Sequence, residues 1–174
     1  MSTMETLKPS ADEATMRRIR EQLFTEPRLN VYAILDGASI PGLLNRLAVD
    51  VPEYVCLYAG RLAPVLAEAA PYLVRLRPED RFTDWVLRSG WLRHWGIFVL
   101  SAASLPQLRN HFRRFLIVHD HQGRRLYFRY YDPRVLQAYL PTCTGEERKF
   151  VFGPVAIYAC EDVDRGELVF MRGS

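Results

Sequence analysis

No stretch of the chain approaches the roughly 18 consecutive apolar residues that a membrane-spanning helix needs. The opening MSTMETLKPSADEATMRRIREQ also lacks the apolar core of a secretory signal. Both absences lead to the expectation of a cytoplasmic protein with no membrane insertion. Cysteine is sparse and odd in number. Cys56, Cys143 and Cys160 are widely spaced and form no CxxC pair, so neither a disulfide framework nor a zinc site is indicated. Cys56 and Cys160 sit in apolar runs and read as buried thiols. The glycines form no GxGxxG or GxxxxGK(S/T) pattern, so no phosphate cradle is encoded. No serine lies in GxSxG, and no Cys–His arrangement carries a nucleophile signature. A formal net charge of +3 is far from the one-sided field that nucleic-acid binding leaves in a sequence. The expectation is a protein with no catalytic residue, no cofactor and no nucleic-acid partner.

What the chain does contain is ordinary core-forming material. Its 174 residues, 49% hydrophobic and 25% charged, suffice for one sizeable core. Apolar residues at Ala11, Ala14, Met16, Ile19 and Leu23 among charges predict an amphipathic helix over 11–24, closed by Pro27. NVYAIL at 30–35 is a short apolar run ending in Asp36-Gly37, the pattern of a buried strand entering a turn. Helices are then expected over 41–48, 62–69, 78–89 and 104–116, the last with Ser104 as N-cap. They alternate with strands over 53–58, 72–76 and 95–100. Runs at 115–119 and 125–131 flank Gln122-Gly123 and predict a hairpin. Asp132-Pro133 starts a short helix through Leu140. Two closing antiparallel strands are expected at 154–160 and 167–171. The predicted architecture is one layered α/β domain with a mixed sheet flanked by helices. Residues 1–29 would pack on it as a helical segment, 30–171 would form the domain, and 172–174 a tail.

Several residues invite a functional reading. Gly37 and Gly60 follow predicted strands, where a turn can offer backbone N–H groups to a ligand, although a plain tight turn is the simpler account. His119 and His121 alternate on an extended segment and could supply half of a metal site. Completed by a nearby carboxylate, they would make a small metal-dependent hydrolase or nuclease, the alternative to a binding protein. Their place beside Gly123 suits a solvated hairpin turn instead. Asp36, Asp84 and Asp132 could serve acid–base chemistry if the fold brought two together, but Asp36 and Asp132 stand at strand ends beside Gly or Pro, where a carboxylate usually caps backbone groups.

The informative stretch runs from Arg109 to Arg134. Seven arginines there interleave with Phe112, Phe115, Tyr127, Phe128, Tyr130 and Tyr131. Arginine and aromatics dominate protein–protein hot spots because they bury large area at low entropy cost and offer donors of fixed geometry. The same residues could stack on single-stranded nucleic acid, and one buried and one solvated strand face would produce the same alternation. The small net charge favours a protein partner. Candidate contact residues are Arg113, Arg114, Arg129, Tyr130, Tyr131, Asp132 and Arg134, several of which are expected to face outward. The faces around Asp36 and Trp95 form the second candidate.

At these segments the chain resembles the type VI secretion effector chaperones or adaptors, a family catalogued as a domain of unknown function. The resemblance rests on YAILDGA (32–38), LYAG (57–60), APYLVRL (70–76) and WGIFVLSAASLPQLRNHFRRFLIV (95–118). It continues through GRRLYFRYYDPRVLQAYLPTC (123–143) and FGPV (152–155), in collinear order. It implies a bacterial cytosolic protein that holds a toxic effector and delivers it to a spike protein of the VgrG type, without catalysis. It further implies an α/β N-terminal lobe followed by a smaller helical lobe. Only one further strand is expected after FGPV, so that second lobe is expected to be missing from this chain.

Overall fold

The computed structural model describes residues 11–173. Asp12 caps the first helix, α1 (Glu13–Leu23), accepting from the Thr15 backbone N–H at 2.7 Å. The spacing of Met16, Ile19 and Leu23 turns one apolar stripe of α1 into the core. The chain then runs through β1 (Asn30–Asp36), α2 (Leu43–Asp50), β2 (Tyr54–Cys56), α3 (Pro64–Ala69), β3 (Pro71–Leu76), α4 (Arg81–Gly90) and β4 (Gly96–Ser101). It continues with α5 (Leu105–Arg113), the hairpin β5 (Ile117–His119) and β6 (Arg125–Tyr127), α6 (Pro133–Tyr139), α7 (Gly145–Phe152), β7 (Ile157–Asp162) and β8 (Glu167–Arg172).

Six strands form one sheet in the order β2-β3-β1-β4-β7-β8. Every neighbouring pair in it is antiparallel. The α/β class holds, but the expected mixture of parallel and antiparallel pairs does not. The alternation of helices and strands does join strands that run the same way, β1 to β2 across α2 and β3 to β4 across α4. In each case an antiparallel strand is inserted between the two, β3 in the first and β1 in the second, so the same-sense strands never become neighbours.

Side chains alternate across the sheet and build two cores. Val31, Ala33 and Leu35 of β1 face α1, α2 and α4. Tyr32 and Ile34 face α5, α6 and α7. β1 is therefore buried on both sides from Val31 to Asp36, which is why its sequence is continuously apolar instead of alternating. Close strand packing imposes one glycine: a Cβ on Gly96 would stand 1.9 Å from the carbonyl oxygen of Ile34.

The local signals at α5 and α6 are realised as capping geometry. Ser104 and Gln107 form a reciprocal capping box at α5. Asp132 caps α6 by accepting from the Arg134 backbone N–H at 2.9 Å. α7 was not expected from the sequence, although Thr144 and Glu147 form a second capping box that marks its start. The hairpin is shorter than expected, with three residue pairs, because the chain turns inward at Tyr130.

Candidate protein-docking surface

Asp36 ends β1 with its carboxylate buried. It accepts from the Ala38 backbone N–H at 3.1 Å and from the Ser39 hydroxyl at 2.7 Å. It also takes a charge-assisted hydrogen bond from Arg129, whose own side chain is half exposed. The Arg129 guanidinium lies 5.9 Å from the Tyr131 ring centroid. Burial pushes the Tyr131 phenol well above its ordinary pKa. Asp36 therefore ties the end of β1, the turn after it, and the segment following the hairpin into one knot. The turn leaves no room for a side chain at Gly37: a Cβ there would come within 2.4 Å of the Glu68 carbonyl oxygen. The Gly37 N–H already donates to Ala70, so it is not offered to a ligand.

Arg113 has an inward task as well. Its Nε donates to the Leu57 carbonyl at 3.1 Å, and its Nη2 donates to those of Cys56 and Tyr58 at 2.9 and 3.3 Å. One guanidinium thus fastens three successive carbonyls, from Cys56 at the end of β2 into the loop after it. Tyr130 is fully inside, 1% exposed. Its ring stacks on Phe112 at 5.9 Å and tilts on Phe115 at 4.5 Å, and its hydroxyl donates to the Phe112 carbonyl. Tyr131 is 2% exposed. Tyr130 and Tyr131 are therefore not among the candidates that face outward: the core beneath the α5–α6–α7 layer has room for both rings and takes them.

Arg114 and Arg134 do face solvent. Arg114 lies over the Phe150 ring at 5.4 Å, and Arg134 pairs with Asp132 at 2.7 Å. Trp95 is half-buried against Trp85, with ring centroids 4.8 Å apart. Its carbonyl accepts from the Asp36 N–H at 2.8 Å, but its indole belongs to the opposite layer from Tyr131. The nine sequence candidates therefore divide. Asp36, Arg129 and Tyr131 meet, Arg114 and Arg134 stand apart on the surface with Asp132 paired to the latter, Arg113 and Tyr130 hold the scaffold, and Trp95 lies in the opposite layer.

His119 and His121 are exposed at the hairpin turn. The turn is organised by Asp120, which accepts from the Gln122 and Arg124 N–H groups at 2.9 Å each. No three His, Cys, Asp or Glu side chains are gathered to hold a metal among the described residues, so the pair gains no third ligand. Burial pushes the Cys160 thiol up to about 12 and raises Cys56 as well, the opposite of an activated nucleophile.

Sequence reading missed a groove between the loop after β2 and the hairpin. It has a volume of about 250 Å³. Tyr58, Leu62 and Leu66 form one wall, Ile117 and Tyr127 the other, and Arg113 and Arg125 also line it. Tyr58 and Tyr127 approach to 5.4 Å across it. Around it α3 leaves Val65 81% and Leu66 44% exposed, and Tyr127 is 63% exposed. Exposed apolar side chains beside a lined groove mark contact surfaces. The one local signal was that α3 is apolar without an amphipathic stripe, and it buries no residue.

The fold and surface define a class: a two-core α/β domain with an apolar, arginine-lined groove and, among the described residues, no cluster of three metal-ligating side chains. Compared with known proteins, residues 31–149 match the profile of the family described as Domain of unknown function (DUF4123). The chain belongs to that family, which is associated with type VI secretion effector adaptors. No curated protein and no solved structure matches it. Among the described residues, no helix is long and apolar enough to cross a membrane.

Proposed function

We propose that this chain is a non-catalytic adaptor of the bacterial cytoplasm that holds a cognate type VI effector and promotes its loading onto a VgrG-type spike protein. The observation that carries the reading is family membership over residues 31–149. The exposed groove and the solvent-facing guanidinium groups of Arg114, Arg129 and Arg134 are consistent with protein recognition. In this reading those three arginines touch a partner. Asp36, Arg113, Tyr130, Tyr131 and Asp132 hold the elements that present them, and Trp95 supports the adjoining face.

The test is co-expression of the chain with candidate type VI effectors from its own host, followed by size-exclusion chromatography and a binding titration, with and without the spike protein. A stable complex weakened about tenfold or more by Arg114→Ala with Arg134→Ala, at unchanged melting temperature, is expected. Candidates that all elute alone at micromolar concentrations refute the proposal.

A further inference from the structure

We infer that the groove between the loop after β2 and the β5–β6 hairpin docks an acidic, apolar segment of a partner protein. One or two large apolar side chains sit on Tyr58, Leu66 and Tyr127, and flanking carboxylates meet Arg125. The inference deepens the adaptor reading and rests on it for the partner being a protein.

The volume is the first argument. About 250 Å³ lies below the range of drug-sized ligand pockets and suits one or two side chains of a peptide or helix. The walls come next. Leu66 and Tyr127 keep 44% and 63% of their surface, which solvent covers unless something else does. Charge then selects the occupant. The lining contains Arg113 and Arg125 and no carboxylate. Arg113 is committed to three backbone carbonyls, but its charge remains. Arg125 is exposed and takes part in no ion pair among the described residues. Arg61, exposed on the bounding loop, is likewise without one. The buried Asp36 is neutralised by Arg129, and Glu68, the one carboxylate of α3, does not line the groove. A basic segment would be repelled here, whereas carboxylates complete an unanswered set of donors.

The hairpin register supports the geometry. Ile117 faces Tyr127 and His119 faces Arg125 on one side, while Val118 faces Leu126 on the other. Tyr127 and Arg125 therefore project from the same face of β6, the apolar seat and the charged one two residues apart. α3 supplies the opposite wall from a helix that buries nothing of its own, so this wall is free to contact a partner without disturbing the core.

A random peptide library displayed on phage, panned against the full chain and in parallel against Leu66→Asp and Arg125→Glu, tests the inference. Selected peptides are synthesised and titrated by fluorescence anisotropy, and sedimentation equilibrium follows self-association. All variants are first checked for an unchanged melting temperature. Peptides carrying Asp or Glu around Leu, Phe or Trp should be enriched. Their affinity should fall at least tenfold in each variant, and Arg125→Glu should shift enrichment toward basic peptides. Enrichment without acidic bias, affinity indifferent to both variants, or a self-association abolished by Leu66→Asp would each overturn it, the last by making a second copy the occupant. If a host effector is held while these outcomes fail, the groove chemistry falls and the adaptor reading stands. If acidic peptides are selected but no host effector is held, the reverse follows.

Discussion

Replacing Arg129 by Ala removes a half-exposed guanidinium from a carboxylate that the fold has taken out of water. Asp36 is 3% exposed and Arg129 48%. Breaking a fully buried pair costs about 3 to 5 kcal/mol because it strands a charge, whereas a fully exposed pair is worth about 0.2 to 1 kcal/mol. The Asp36–Arg129 pair stands between these limits. Two further donors remain on Asp36 after the change, Ala38 N–H and the Ser39 hydroxyl. A loss of about 2 kcal/mol follows, equivalent to roughly 4 to 8 °C in melting temperature for a domain of this size. Asp36→Asn can keep its Oδ1 as acceptor for the Ala38 N–H and let its Nδ2 donate to the Ser39 hydroxyl, while removing the charge. In the double variant the penalty of Arg129→Ala should therefore largely vanish, giving a coupling of about 1 to 2 kcal/mol. Thermal melts and urea titrations of the four proteins measure it. A coupling under about 0.3 kcal/mol, within the scatter of independent sites, would refute the claim that Asp36 and Arg129 act as one unit. Affinity for the proposed effector, measured on the same set, then separates bracing from contact. Bracing alone lowers stability and leaves the affinity of folded molecules intact.

Ile34→Ala and Phe98→Ala, in the central strands, should each cost about 2 to 5 kcal/mol in urea unfolding; losses under about 1 kcal/mol at both would show that the core is misplaced. Asp132→Ala should cost about 0.5 to 2 kcal/mol by uncapping α6, read in the same assay, and Asp132→Ser should recover most of it. His111 is buried, with Nε2 2.9 Å from the Val151 carbonyl, and desolvation lowers its pKa. The unfolded chain therefore takes up that proton first, so its contribution is intact above the unfolded pKa of about 6.5 and is lost as pH falls below it. Melting temperatures between neutral pH and mild acid should drop for the wild type and drop less for His111→Gln; equal slopes would remove His111 from the account.

Local signals translated well where a single segment decides its own fate. Ser104 and Asp132 cap helices because each precedes an apolar periodic segment with Pro in the first turn. The run at 31–35 became a central strand because only a two-sided core accommodates it. Strand direction was not legible, since continuous apolarity reports burial on two faces and says nothing of which neighbour arrives or in what sense. α7 was overlooked although Thr144 and Glu147 mark its start. The groove escaped entirely: Leu66 and Tyr127 are brought together by the fold, and no spacing in either segment announces that both keep exposed surface. The tyrosines at 130 and 131 read as contacts by residue type, but partition into the core by the space available beneath α5.

The inserted antiparallel strands also set an order of assembly during synthesis. β1 leaves the ribosome early but gains its first partner only when residues 71–76 emerge and its second only with residues 96–101. β4 then waits for β7, which begins at Ile157. At 5–20 residues per second the interval from residue 101 to 157 lasts roughly 3 to 11 s. Through those seconds Phe98, Val99 and Leu100, the residues that will pair with β7, form an open apolar edge available to any other nascent strand. The chain thus carries an unprotected apolar edge while it is being made, and slower translation between β4 and β7 lengthens that exposure.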